Sequence, residues 1–509
     1  MWTIASERWK RRQKMSRIGF DNEKYIKLQS EHIRKRIEFF GGKLYLEFGG
    51  KLFDDFHASR VLPGFKPDSK VNMLLEMKDQ AEIVIVINAA DIEKNKQRGD
   101  LGITYDLDVL RLIDAFREIG LYVGSVVLAR FAAQPAATAF EKRLGALGIK
   151  VYRHYSIPGY PSDIKTIVSD EGFGKNEYIE TTRSLVVVTA PGPGSGKMAT
   201  CLSQLYHEHK RGIKAGYAKF ETFPIWNIPL KHPVNIAYEA ATADLNDMNM
   251  IDPYHLEAYG TTAVNYNRDV EIFPVMEAMF ATIFGSSPYK SPTDMGVNMV
   301  GNCIIDDAVV CQAAKDEVIR RYYSARCEHR KGLCDEESVA KIELLMRQAG
   351  ITIEDRPVIG AAMKKAEDTG APAAAIQLAD GTIITGKNST LMGPCSALLL
   401  NALKALGGID DATLLIAREV LEPLQDLKVN HLGNHNPRLH TNEVLIALSI
   451  CAATGHEDAA IAMEQLSKLQ GLELHSSVIL AQVDQETFRK LGVNVTCEPQ
   501  YQTKRLYHK

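Results

Sequence analysis

The sequence predicts an α/β fold, and three observations predict it. Short apolar runs at Ile83–Ile87, Leu121–Leu128, Lys150–Tyr152, Leu185–Val188 and Ala215–Ala218 alternate with helical patterns at Leu107–Ile119, Ala136–Leu147 and Met198–Lys210, the rhythm of a helix-covered, largely parallel sheet. The fourth run breaks into Ala190-Pro-Gly-Pro-Gly-Ser-Gly-Lys197 before a helix begins. Far downstream, Ala373–Asn388 reads as a hairpin with Asp380-Gly381 as its turn, followed by a helix over Ser396–Leu406.

At 509 residues the chain exceeds one ordinary core, and two or three domains are expected. Residues 1–14 are basic and lack an apolar core, so they read as a non-native or alternative-start extension ahead of Met15. The first domain, 15–228, opens with a hairpin expected around Phe48-Gly49-Gly50 and continues as a parallel-sheet α/β domain. The middle domain, 229–354, is mainly helical, with its clearest helices at Arg268–Phe284, Asp306–Arg326 and Glu336–Gln348. The third, 355–509, carries the hairpin and Ser396–Leu406. Further helices follow near Asp411–Leu424, up to Ala453 and through Ile461–Lys468, then an αβ segment closing near Pro499.

Lys and Arg number 60 against 63 Asp and Glu, so the net charge suggests neither a basic face for nucleic acid nor an acidic tail. A small molecule or another subunit is the expected partner. The 8 cysteines form no C-x-x-C pair and read as reduced cytoplasmic thiols. No apolar run reaches the length of a membrane span, and no membrane partner is expected.

The glycine loop carries the most chemistry. A strand, tight loop and helix start aim several backbone N–H groups and the positive end of a helix dipole at one point, and Lys197 adds a full charge there. Gly192, Gly194, Ser195, Gly196 and Lys197 are therefore candidate phosphate binders. The Walker pattern G-x-x-x-x-G-K-[ST] is nonetheless broken twice: Pro191 replaces its first glycine and Met198 its Mg²⁺-binding hydroxyl. A degenerate P-loop is expected rather than an ordinary Mg-ATPase. The same glycines would equally serve a sharp turn and close helix packing. Ligands of parallel sheets sit beyond the carboxyl ends of the strands, where Arg98 and Arg130 follow the first two runs and would neutralise a phosphate. Lys94 and Lys96 fit a solvated face as well.

Val429–Glu443 concentrates His431, His435, His440, Arg438 and Glu443. Glycine, asparagines and Pro437 make it a loop, so a two-histidine helical zinc face fails. His435, Arg438 and His440 are the catalytic candidates, with His435 or His440 moving protons; the bland alternative is a buried polar loop whose Thr441 caps the next helix. His207-Glu-His209 lacks the second histidine of H-E-x-x-H and reads as an exposed helix end. No metal is expected. The hairpin at 373–388, with Pro394-Cys395 at the following helix start, resembles the opening of the cytidine-deaminase-like fold. Leu398 stands where a second cysteine should follow, however, and no H-x-E precedes it.

Gly19–Tyr25, His57–Phe65, the Ala190–Lys197 loop, Ser291–Asn298, Leu432–Arg438 and Val493–Pro499 together resemble a bacterial protein family of unknown function, domain of unknown function 1846, over residues 15 to 509. Some members are labelled ATP-dependent peptidase or zinc protease; the broken Walker loop and the missing H-E-x-x-H support neither half of that label. The resemblance implies a bacterial cytosolic protein with an α/β first part, a helical middle and a deaminase-like last part. The expected function is an enzyme acting on a phosphorylated or nucleotide-like small molecule, with a non-catalytic metabolite-binding or scaffold homo-oligomer as the alternative.

Overall fold

The computed structural model describes residues 18–50, 52–53, 55–98, 101–245 and 247–503. The expected extension at 1–14 lies outside them. Two compact units emerge: the first joins Ile18–Glu239 to Leu245–Ala313, and the second takes Ala240–Asp244 with, among the described residues, 314–503.

The first unit is built on seven strands: β1 (Leu44–Phe48), β2 (Ala81–Asn88), β3 (Tyr122–Ala129), β4 (Lys150–Arg153), β5 (Leu185–Thr189), β6 (Gly216–Phe220) and β7 (Gly296–Val297). Their order is β7-β6-β1-β5-β2-β3-β4, and every neighbouring pair is parallel. All residues of β2 and β5 are buried, because a central parallel strand is covered on both faces. The longer helices wholly within it are α1 (Asn22–Phe39), α2 (Tyr105–Glu118), α3 (Pro135–Ala146), α4 (Lys197–Lys210) and α5 (Asn267–Phe284). Leu202 and Leu205 of α4, with Phe273, Met276 and Phe280 of α5, share a core with Tyr45, Val84, Val127, Val186 and Val188. The sequence from 245 to 313 thus completes this unit: it supplies a core helix and the edge strand β7.

Among the described residues the expected hairpin around Phe48-Gly49-Gly50 does not form. β1 instead pairs with β5 and β6 in the middle of the sheet. Its alternation came from polar side chains with buried partners. Tyr45 Oη donates to Glu208 Oε1 at 2.7 Å, and Glu47 accepts from Tyr217 Oη at 2.7 Å. The same contacts correct the reading of His207-Glu-His209 as an exposed helix end for its first two residues, while His209 is exposed. Glu208 is fully buried, ion-paired to Lys43, and His207 Nε2 lies 2.7 Å from the Asn176 carbonyl.

A long helix, α6 (Asp307–Arg330), begins in the first unit and ends in the second. There follow α7 (Val358–Thr369), β8 (Ala373–Gln377), β9 (Ile383–Lys387), α8 (Pro394–Gly407), α9 (Thr441–Ala453), β10 (Glu473–Ser476), α10 (Gln482–Lys490) and β11 (Asn494–Cys497). The expected hairpin is present as β8 and β9, and the sheet order is β9-β8-β10-β11. β8 is antiparallel to both neighbours, whereas β10 and β11 are parallel. Leu398, Leu399 and Leu403 of α8 pack into the core of this unit with Ile376 and Leu474, while Val358 and Ala362 of α7 pack against Ala375.

Arg356 is the largest fully buried side chain, at 1% exposure. Its guanidinium meets Glu473 at 2.7 Å, the Asn494 carbonyl at 2.9 Å, the Leu474 carbonyl at 3.1 Å and the Thr496 hydroxyl. It therefore ties the start of α7 to β10 and β11 with charge-assisted bonds. Arg356→Ala should remove the buried ion pair to Glu473 and the donors to the Asn494 and Leu474 carbonyls, although Arg320 still pairs with Glu473 at 2.8 Å, and urea unfolding should read a loss of about 1–3 kcal/mol. A loss below about 1 kcal/mol would mean that the network contributes little.

Candidate functional site

The connection leaving β5 runs through α4 to β6 on one side of the sheet order, whereas those leaving β1 and β2 run the other way. The loops part at the carboxyl ends of β1, β5 and β2, the place where α/β sheets open a ligand crevice. β5 delivers the glycine loop there. Gly196, at φ 97°, precedes the first residue of α4 in a conformation that disfavours side chains. A Cβ on Gly192 would stand 2.2 Å from Tyr105 Oη, so only glycine lets that ring lie against the loop. Ser195 is buried and donates its hydroxyl to the Gly192 carbonyl, which holds the turn.

The backbone amides of Gly194, Ser195, Gly196 and Lys197 meet no protein acceptor among the described residues. They are the orphan donors of a helix start, and the dipole of the 14-residue α4 adds to them. Lys197, partly exposed, has no acidic partner within ion-pair distance among the described residues. Arg130 is exposed just beyond β3 at φ 54°. Tyr160 senses both Arg130 and Glu47: burial and then Glu47 push its phenol up to about 12, against the pull of Arg130. Arg98 is placed differently. Its guanidinium pairs at 2.9 Å with Asp108, a carboxylate also held by Arg111 at 2.7 Å. Lys96 lies 5.0 Å from the centre of the Tyr105 ring and 3.5 Å from Asp91.

A second group in the same unit escaped the sequence reading. Glu47 of β1 stands in register with both Val188 of β5 and Lys219 of β6. Lys219 contacts Glu221 at 2.6 Å and also Asp269 in the first turn of α5. Lys219 and Asp269 keep 21% and 23% of their side chains exposed, so the cluster is deep but open to water. Tyr266, 5.7 Å from the lysine nitrogen, supplies an aromatic wall. Burial opposes the Lys219 charge, but Asp269, Glu221 and Glu47 outweigh it and hold its pKa above the ordinary lysine value. Burial and the Asp269 carboxylate push Glu221 up to about 7, against Lys219. Glu221 is therefore the group of the cluster that holds a proton nearest neutral pH. The only hint in the sequence was position: Lys219 and Glu221 flank the carboxyl end of the fifth apolar run.

The histidine loop lies in the other unit. His435 is exposed and has no protein partner among the described residues. Arg438 Nε donates to the Ser389 carbonyl at 2.7 Å. His440 Nδ1 lies 3.0 Å from Asp484, whose other oxygen accepts the Thr441 amide and hydroxyl, each at 2.8 Å. Burial raises the Asp484 pKa, but its bonds to His440 and Thr441 outweigh it and hold the carboxyl below the usual aspartate value. Arg438, His440, Asp484 and Cys395 line one cavity of about 40 Å³; His435 is not among its lining residues. That volume suits water or one small group, not a nucleotide. Burial pushes the Cys395 thiol well up, which argues against a thiolate nucleophile.

No helix of the described residues is long and apolar enough to cross a membrane. Residues 18–350 match the family model described as domain of unknown function DUF1846, N-terminal, and residues 354–507 match the corresponding C-terminal model. The UPF0371 protein stu1377 of Streptococcus thermophilus is 60% identical over 495 residues, covering 97% of this chain and 100% of the relative. UPF0371 protein SpyM50764 of Streptococcus pyogenes serotype M5 is 58% identical with the same coverage, 97% and 100%. With both models matched in sequence along one chain, and relatives this similar from end to end, the protein belongs to the DUF1846 family.

Proposed function

We propose that the first unit is an enzyme unit that binds a phosphorylated or nucleotide-like small molecule over the glycine loop. The observation that carries this reading is that, among the described residues, the amides at the start of α4 meet no protein acceptor and Lys197 beside them has no acidic partner. Such an arrangement holds an oxyanion without help from a metal. Arg130 supplies further positive charge at the mouth, and Arg98 acts through Asp108 on the position of α2. Met198 offers no hydroxyl to Mg²⁺, so the cation matters less here than in a true P-loop enzyme. Glu221, paired with Lys219 and Asp269, is the group best able to give or take a proton near neutral pH.

For the second unit we propose a cytidine-deaminase-like core without deaminase chemistry. The strand order β9-β8-β10-β11 and the antiparallel β8 support it. In that core Arg438 and His440 would act on a small group rather than on a nucleotide, because the cavity they line is small, with His435 exposed outside that lining. The alternative, a metabolite-binding homo-oligomer, draws support from Ile446 and Ile450, a helical turn apart on α9 and 55% and 42% exposed, since apolar helix faces favour protein contacts. Eight free cysteines suit a cytoplasmic setting, and nearly balanced charge argues against nucleic-acid partners.

Lys197→Ala should weaken binding of inorganic phosphate or ATP by about tenfold or more, roughly 1.4 kcal/mol, in calorimetry. Unchanged affinity in the variant would remove the glycine loop as the site. The raised carboxyl of Glu221 makes a separate, pH-dependent prediction. A group whose folded pKa lies above its unfolded one loses folded-state stability as pH rises between the two values, here from the ordinary glutamate value of 4.5 to about 7. Melting curves should therefore show the parent losing ground to Glu221→Gln as pH rises from about 5 to 8. Parallel curves for the two proteins across that window would contradict the assignment.

A further inference from the structure

The first unit holds a second cluster that neither the crevice nor the histidine loop uses. His232 comes from the start of the helix Pro233–Ala241, while Asp307 and Cys311 stand one turn apart at the start of α6. Their donor atoms converge. His232 Nε2 lies 2.9 Å from Asp307 Oδ1, and Cys311 Sγ lies 3.5 Å from that nitrogen and 3.7 Å from Asp307 Oδ2. Ligands about 2.0–2.3 Å from a tetrahedral zinc ion stand about 3.3–3.8 Å from one another. All three separations are within a few tenths of an ångström of that range.

We propose that His232, Asp307 and Cys311 form a zinc-binding site with its fourth coordination position open to water. One imidazole, one carboxylate and one thiolate match the donor preference of zinc, and the set is too soft for magnesium or calcium. The imidazole is almost fully buried, whereas Asp307 is 70% exposed, so the rear wall is fixed and the entry faces solvent. A rigid helix sets the spacing of two ligands, which limits the reorganisation that binding requires. His232 Nδ1 accepts the Val234 amide at 3.2 Å, which places the ring proton on Nε2 in the metal-free protein. Capture of zinc at Nε2 moves that proton to Nδ1 and releases the amide. Cys311 gives up its thiol proton to solvent, so one proton leaves per zinc bound. The lost cap keeps the affinity below that of a closed four-ligand structural site. Sequence spacing could not find this set, because His232 lies far upstream of Asp307 and Cys311.

The test is equilibrium dialysis of the chelator-stripped full chain against zinc, with elemental analysis, and a cobalt(II) absorption spectrum of the parent. The expected result is about one zinc per chain, with a thiolate-to-cobalt charge-transfer band in the near ultraviolet. Cys311→Ser and His232→Asn should each weaken binding by at least about tenfold. Asparagine can still accept the Val234 amide, so the second variant keeps the helix cap. Zinc-free parent protein, a cobalt spectrum without the thiolate band, or equal zinc in parent and both variants would overturn the proposal. The cobalt spectrum decides the matter even if a variant fails to fold.

Discussion

Every strand of the seven-stranded sheet runs in the same direction, so every strand must release its chain at the same edge. That constraint governs the rest of the first unit. Return connections have to cross the sheet as helices, both faces become buried, and the strands become almost continuously apolar. Polar function is pushed out of the sheet and into the loops at the carboxyl edge. Because β5 inserts between β1 and β2, those loops part around its glycine loop. The start of α4 is left there with amides that the sheet cannot satisfy.

The charges follow from the same geometry. A carboxylate on a central strand can persist only with partners, and Glu47 and Lys219 lie side by side in register at the carboxyl end. Lys219 answers Glu221 and Asp269 together, so the cluster holds more acidic groups than basic ones, and a proton is the cheapest way to balance it. Next door, Arg98 and Arg111 share Asp108, which anchors the first turn of α2. The cationic rim thus has two kinds of members. Among the described residues Lys197 has no acidic partner, whereas Arg98 pairs with Asp108.

The sequence made the central strands β2 and β5 legible because burial on both faces removed all alternation, whereas the half-buried edge strand β4 showed only as a short run. The hairpin β8–β9 was legible through Asp380-Gly381, and the glycine loop through its abrupt change of composition. β1 was misread because Tyr45 and Glu47 imitate a solvent-facing register while their partners, Glu208 and Tyr217, come from distant segments. β7 was invisible: two residues, Gly296 and Val297, carry no periodicity. The Lys219–Glu221–Asp269 group went unseen for the same reason as β1's partners, since its members meet only after α5 docks on the sheet. Arg98 was read only as a cation that would neutralise a phosphate, because nothing in the sequence pairs it with Asp108, ten residues on.

The role proposed for the amides from Gly194 to Lys197, which meet no protein acceptor among the described residues, is to hold an oxyanion. Its most direct measurement is an anomalous difference map from a crystal soaked in tungstate, an electron-dense mimic of phosphate. The account predicts a peak over the amides of Gly194, Ser195, Gly196 and Lys197, within reach of the Lys197 ammonium. A loop left bare while tungstate occupies other basic sites of the same molecule would contradict it.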